Sequence, residues 1–223
     1  MDSLGGRLTA TSATFPRERL EAILREAKPF HAEGHFLYPA DERGNHLQGF
    51  FLLDPVAREP RFVEWITKDV VAWIDRTHLA FDVLFAPAQP AVQTVADAVA
   101  RASDRPAAYW EYLPSGRFGD RLVAGHLNRG ARALVFNGVS HTGRCVGERL
   151  PGFVERLGGT RVAAAAFVKG SAPKIAETEA ALGDRFYSAL RAEIPVFAPT
   201  GCPLCRSDGP PVPWTALLGG GSA

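Results

Sequence analysis

Cysteine is scarce: the 223 residues hold three, at Cys145, Cys202 and Cys205. An odd, sparse set makes a poor disulfide framework and fits a reducing compartment, so a cytoplasmic location is expected. Net charge is also nearly absent, +1 at pH 7. That removes any general electrostatic case for nucleic acid or an anionic membrane surface as partner. No apolar run approaches the ~20 residues a membrane span needs. The opening stretch, MDSLGGRLTATSATFPRERL, lacks a basic segment followed by an apolar one, so no secretory leader is expected. Repeats and long linkers are missing too. What is plentiful is apolar content, 46% of residues, enough for a sizeable core and against wholesale disorder. The length suits one large α/β domain.

Residues 1–13 read as an unstructured amino terminus, 14–206 as a single domain, and 207–223 as a loose or draped Pro/Gly-rich tail. FPRERLEAILREA starts a helix near Pro16 and puts Leu20, Ile23 and Leu24 on one face. HFLYPADERGNHLQGFFLL reads as two short strands around a polar turn containing Arg43-Gly44-Asn45. RFVEWITKDVVAWIDR is a strongly amphipathic helix with Phe62, Trp65, Ile66, Val70 and Trp73 together. FDVLFAP (81–87) reads as a strand and AVQTVADAVARA (91–102) as a helix. AAYWEYL and RFGDRLVAGHL form a hairpin around Pro114-Ser115-Gly116. RALVFNG (132–138) is a buried strand, followed by a helix from about Gly143 to Leu157 that Pro151 should bend, and by the strand RVAAAAFVKG (161–170). Strand, helix and strand make a right-handed crossover. The fold class is therefore α/β: a central, mostly parallel sheet flanked by helices, with a small hood.

The chain leaves strand 132–138 through Val139-Ser140-His141-Thr142-Gly143 into a helix. Ligands in open α/β sheets bind beyond the carboxyl ends of strands. A helix amino terminus offers free N–H groups and partial positive charge to a phosphate. Ser140 and Thr142 add hydroxyls, Arg144 a full charge, and Gly143 close approach of the backbone. An ordinary strand–helix turn capped by Ser or Thr explains the same spacing. His141 is either a phosphate donor when protonated or a solvent-facing spacer. Cys145 reads first as a small buried residue, second as a thiol activated by the helix terminus.

RALVFNGVSHTGRC, its helix and RVAAAAFVKG resemble the phosphoribosyl-pyrophosphate motif of type I phosphoribosyltransferases. AEGHFLYPADERGNHLQGFFLLDPVAREP, FDVLFAPAQPAVQTVADAVA and AYWEYLPSGRF are similar to the amino-terminal region, pyrophosphate loop and mobile hairpin of the orotate branch. The resemblance spans about residues 30–210. It implies a homodimer, magnesium, and a phosphoribosyl pyrophosphate or other 5′-phosphorylated ribose ligand transferred to a heterocyclic base. It assigns Ser140, His141, Thr142, Gly143, Arg144 and Cys145 to the phosphate, Asn137 and Gly138 to the ribose, and Ala88 and Gln89 to the diphosphate loop.

The departures fall on reactive positions. Asn137 and Gly138 stand where the family carries two acids. Leu53-Asp54 replaces Lys-Asp, Tyr112 replaces a lysine, and Pro90 replaces a glycine. Loss of the acids weakens the case for magnesium and removes stabilisation of an oxocarbenium-like sugar. Asp54, Glu111 and Arg117 remain as catalytic candidates. Three readings stay open: a transferase, a non-catalytic nucleotide- or phosphosugar-binding regulator, and a repurposed enzyme. Cys202-Pro-Leu-Cys205 supplies half of a tetrahedral metal site. With His126 and His141 as the nearest histidines in sequence, no metal site is expected. His35 and His46 flank the amino-terminal strands, in the hood or at a surface turn. Trp110 reads as core.

Overall fold

The computed structural model describes residues 7–38 and 44–218. The chain opens with β1 (Leu8–Ala10) and α1 (Arg17–Ala27). Four two-residue strands follow: β2 (Phe30–His31), β3 (Phe36–Leu37), β4 (His46–Leu47) and β5 (Phe50–Phe51). Then come α2 (Asp54–Ala57), α3 (Pro60–Arg76), β6 (Val83–Pro87), α4 (Pro90–Ala102), β7 (Ala107–Tyr112), β8 (Phe118–Ala124) and β9 (Arg132–Ser140). A π-helical turn, Cys145–Arg149, leads into α5 (Leu150–Arg156). The chain continues through β10 (Thr160–Lys169), α6 (Pro173–Leu182), β11 (Phe186–Ala192), β12 (Val196–Phe197), α7 (Leu204–Ser207) and β13 (Val212–Pro213). Of the polar turn expected at 43–45, Arg43 lies outside the described residues.

The main sheet has seven strands in the order β1-β11-β10-β9-β6-β7-β8. The five inner strands run parallel, and β1 and β8 close the edges antiparallel. Strands covered on both faces need apolar residues at every position. In β9, Leu134 and Phe136 enter one cluster and Ala133 and Val135 the other. The alanines of β10 divide in the same way, Ala163 and Ala165 on one face, Ala164 and Ala166 on the other. Phe62, Ile66, Val70 and Trp73 of α3 face the first cluster as their spacing requires.

Several expectations are corrected. Leu8–Ala10 is not loose: it pairs with Leu190–Ala192 at the sheet edge. A three-residue strand has too little alternation to be read in advance, and the waiting edge of β11 supplies the pairing. The tail also packs. Val212 and Pro213 pair with Phe36 and Leu37, and Trp214 is buried. The domain boundaries at 14 and 206 are therefore too narrow on both sides. Beyond Gly143 the helix is not uniform. Leu150 donates to Cys145 O, one residue further back than in an α-helix. Pro151, with no N–H to give, sits at the start of α5, where none is needed.

The hood is a second sheet, β12-β4-β3-β13, with β2 and β5 paired beside it. Its strands come from both ends of the chain. It faces the carboxyl ends of β6 and β9, where the strand order reverses and an α/β sheet opens a crevice.

Candidate functional site

The crevice is lined by Tyr38, Phe50, Leu53, Asp54, Gln89 and Asn137, with Tyr112, His141, Cys145 and Trp214 closing around them. Its free volume is about 40 Å³. One water needs roughly 10–15 Å³ by this measure, so the space holds a few waters and no phosphoribosyl group. Aromatic side chains fill the remainder: Trp214 stacks on Phe50 at 5.2 Å, and Phe50 lies 4.2 Å from the His141 ring.

The two positions where the resemblance implies acids are structurally committed. The Asn137 side-chain amide donates to Val139 O at 2.9 Å, within its own strand. Gly138 lies under Leu53: a Cβ there would sit 2.2 Å from Leu53 Cδ2 and 3.4 Å from Val92 Cγ2. Leu53 is itself the residue standing where the resemblance implies lysine. An apolar contact thus joins the two places where the resemblance implies an acid and a base. Tyr112, in place of the second lysine, is half-buried at the crevice wall and packs edge-on against Phe118 at 5.5 Å. Burial, then the nearby Cys145 and Asp54, holds its hydroxyl well above the ordinary tyrosine range.

The loop from Val139 to Arg144 is tightly packed. His141 is buried, and its Nε2 accepts the Phe51 N–H at 3.2 Å. Burial pushes its pKa down to about 3. Neither expectation for His141 holds: the ring is neutral and enclosed, and it fastens the hood strand β5 to the loop. Gly143 adopts φ +83°, and a Cβ there would meet Ile175 N at 2.7 Å. Its bareness admits the start of α6 instead of a ligand. Arg144 pairs with Glu148 at 3.0 Å one turn on, which lowers the glutamate pKa. Cys145 is buried 3.8 Å from the Tyr38 hydroxyl, and burial raises its pKa, so the thiol stays protonated as the packing reading requires.

Of the three catalytic candidates, only Asp54 reaches the crevice. Glu111 turns to the hairpin surface, accepting from Arg121 Nε at 2.9 Å and from the Asp120 N–H at 3.4 Å. Arg117 is exposed near the hairpin tip. Neither lines the crevice, because residues alternate along the hairpin and Tyr112 takes the inward position. Gln89 lines it, whereas Ala88 is held by its N–H on Trp110 O at 2.7 Å.

Buried polar atoms without partners also occur in this region. Asp54 Oδ2 and Ser140 Oγ are buried with no hydrogen-bond partner among the described residues, and the buried Thr142 hydroxyl meets only that of Tyr38. Among the described residues, the backbone N–H groups of Thr142 and Gly143 donate to no main-chain carbonyl. Burial raises the Asp54 pKa above the ordinary carboxyl value. Each such orphan costs about 1–3 kcal/mol unless water or a ligand completes it.

Magnesium does not fit this donor set. It takes oxygen ligands in octahedral geometry, usually one or two carboxylates with substrate phosphates. Asn137 is tied to its own strand, Gly138 is covered, and burial biases Asp54 toward its neutral form.

A second group of polar side chains meets in the hood. His35 Nε2 lies 2.9 Å from His46 Nδ1 and 3.4 Å from Cys202 Sγ. Cys205 Sγ lies 3.3 Å from His46 Nδ1 and 3.7 Å from His35 Nε2. The expectation of no metal-type cluster is corrected by this arrangement. The CPLC pair meets neither His126 nor His141 but two histidines that β3 and β4 bring alongside it, with 167 residues separating Cys202 from His35. The sequence signal was the Cys202-Pro-Leu-Cys205 spacing, which shows only half of the set.

No protein-family model matches the chain, and no curated protein matches it. Solved structures do. UMP synthase of Leishmania donovani aligns with a TM-score of 0.56 at 15% identity, over 78% of this chain and 35% of that one. Orotate phosphoribosyltransferase of Aeropyrum pernix gives 0.56 at 14%, over 75% and 90%. Adenine phosphoribosyltransferase of Leishmania tarentolae gives 0.52 at 13%, over 77% and 87%. The chain thus spans about a third of the UMP synthase and most of the other two. It has the type I phosphoribosyltransferase fold. Both orotate and adenine enzymes share it, so the likeness does not select an acceptor base. No helix among the described residues is long and apolar enough to cross a membrane.

Proposed function

We propose that the chain binds a 5′-phosphorylated ribose ligand at the carboxyl end of the sheet, without the magnesium-dependent pyrophosphate chemistry of transferases that share its fold. The observation that carries the reading is the pair of buried, unpartnered oxygens on Asp54 and Ser140, one at the crevice and one in the loop that leaves β9. A phosphate accepts from the two hydroxyls and the free loop amides, and a ribose hydroxyl donates to Asp54. Entry requires displacement of side chains such as Tyr112 and Phe118, which now close the crevice. The apolar Leu53–Gly138 contact supports a binding role, since it puts no anion beside a developing positive charge.

A second reading, transfer of the phosphoribosyl group, is favoured by Asp54 alone, a carboxyl with one unsatisfied oxygen in the crevice. Calorimetry with ribose 5-phosphate and with phosphoribosyl pyrophosphate, each with and without magnesium, separates them. The binding reading expects magnesium-independent affinity for both and no pyrophosphate release when bases are added. Magnesium-dependent binding with pyrophosphate release establishes the transferase instead. No heat with either ligand removes both.

A further inference from the structure

We infer that His35, His46, Cys202 and Cys205 form a closed, structural zinc site that clips the carboxyl-terminal segment to the hood. The four ligand atoms lie within 4.8 Å of one another. Tetrahedral zinc with Zn–S of about 2.3 Å and Zn–N of about 2.0–2.1 Å requires edges of roughly 3.3 Å between nitrogens and 3.5–3.6 Å between nitrogen and sulfur. The nitrogen–sulfur separations here are 3.3, 3.4 and 3.7 Å, and the two nitrogens at 2.9 Å need only part slightly. Both cysteines are free thiols, so no disulfide competes for the sulfurs in this arrangement.

The surroundings support the assignment independently of the distances. His35 Nδ1 lies 2.8 Å from Gly209 O. A proton on Nδ1 donated to that carbonyl leaves the Nε2 lone pair facing the cluster, the outer-shell arrangement typical of metal-bound histidine. The His35 carbonyl accepts the Val212 N–H at 2.8 Å, so the same stretch fixes both ends of the residue. Three of the four side chains belong to buried residues. Four protein ligands leave no open position, which marks a structural and not a catalytic ion. On binding, Cys202 and Cys205 release their thiol protons to solvent and ligate as thiolates, with no change of oxidation state.

The fold explains what such an ion would do. Strands of two residues cannot hold a sheet by backbone pairing alone. The hood is built entirely of these, and its order β12-β4-β3-β13 joins segments from the two ends of the chain. A tetrahedral ion draws β3, β4 and the loop between β12 and β13 together at one point. Downstream of β13, Trp214 stacks on Phe50 over the crevice. The zinc therefore also sets the roof of the candidate binding site, although its own assignment does not depend on that site's ligand.

The test is metal analysis of the full chain, purified under reducing conditions without chelator from zinc-supplemented cells. The expected result is one zinc per chain. Cys202→Ser and Cys205→Ser should each lower zinc content at least ~10-fold, and Cys145→Ser should leave it unchanged. Should the ligand variants fail to fold, the wild-type chain still decides. After zinc is stripped and cobalt(II) added, it should show intense tetrahedral absorption bands and a thiolate-to-cobalt charge-transfer band. A chain isolated without zinc that gives only the weak spectrum of octahedral cobalt overturns the proposal. So does a Cys202–Cys205 disulfide found in protein alkylated inside the cells.

Discussion

Two aspartates sit in the interior of this protein under different conditions. Asp69 on α3 accepts hydrogen bonds from Ser12 Oγ, Thr14 Oγ1 and Tyr187 Oη at 2.7, 2.6 and 2.7 Å. That network ties the amino-terminal segment to α3 and β11. Asp54 lines the crevice with a buried oxygen to which no described residue donates. The amino-terminal flank shows that the sequence can surround a buried carboxylate with hydroxyls where the role is structural. The crevice, with Asp54 in its wall and the buried Ser140 hydroxyl in the loop that follows β9, fits the other pattern, in which the missing partner comes from outside the chain. The hood cluster belongs with Asp69: its polar atoms face one another, and the geometry is complete without a substrate.

The contrast can be broken experimentally, beginning where the effect is largest. Asp69→Ala leaves the buried Tyr187 hydroxyl without its acceptor and releases Ser12 and Thr14 to water; it should cost about 2–3 kcal/mol in urea denaturation, the loss of hydrogen bonds to a charged group plus one buried orphan. A loss under about 1 kcal/mol would mean the network contributes little. His141 comes next. Its folded pKa of about 3 lies below the ordinary value of 6.5. The unfolded chain therefore binds more protons between those values, and stability must rise with pH across the window and fall as pH drops through it. On the order of 2 kcal/mol should be lost between pH 6.5 and 5. His141→Gln, which can still accept the Phe51 N–H, should flatten the slope.

Gly138→Ala drives a methyl against Leu53 and should cost about 1–2 kcal/mol. In a double-mutant cycle Leu53→Ala should recover about 1 kcal/mol of that loss. Additivity would show that Leu53 does not fill the space over Gly138. The smallest effect has the opposite sign. Asp54 has a raised pKa, so its stabilising protonated form is present at low pH and lost as pH rises through the folded value. Asp54→Asn should therefore raise stability slightly at pH 8, with the gain fading toward pH 4, while weakening ribose 5-phosphate binding. A stabilised variant with unchanged binding would detach Asp54 from the ligand.

The legible parts of the sequence were those set by local pattern. The α3 stripe, the unbroken apolar runs of β6, β9 and β10, and the turn at Pro114-Ser115-Gly116 all read directly. The segment from Ser171 to Ala192 gave no reading, although it forms α6 and the sheet strand β11. Its alanines and glutamates give α6 only weak amphipathicity, and β11 depends on neighbours on both sides. At the crevice, the substitutions Leu53, Tyr112, Asn137 and Gly138 were visible, but not that Leu53 packs into Gly138. His141 was misread because a loop histidine looks solvated until the hood covers it. The hood cluster was missed because its ligands converge across most of the chain, and two-residue strands carry no period.

Hydrogen–deuterium exchange across residues 139–145, with and without saturating ribose 5-phosphate, tests the central claim most directly. The account predicts slower exchange at the Thr142 and Gly143 amides when the ligand is bound, with no change around Cys202 and Cys205. Exchange at the loop that stays unaltered at saturation, or protection confined to another surface, would contradict it.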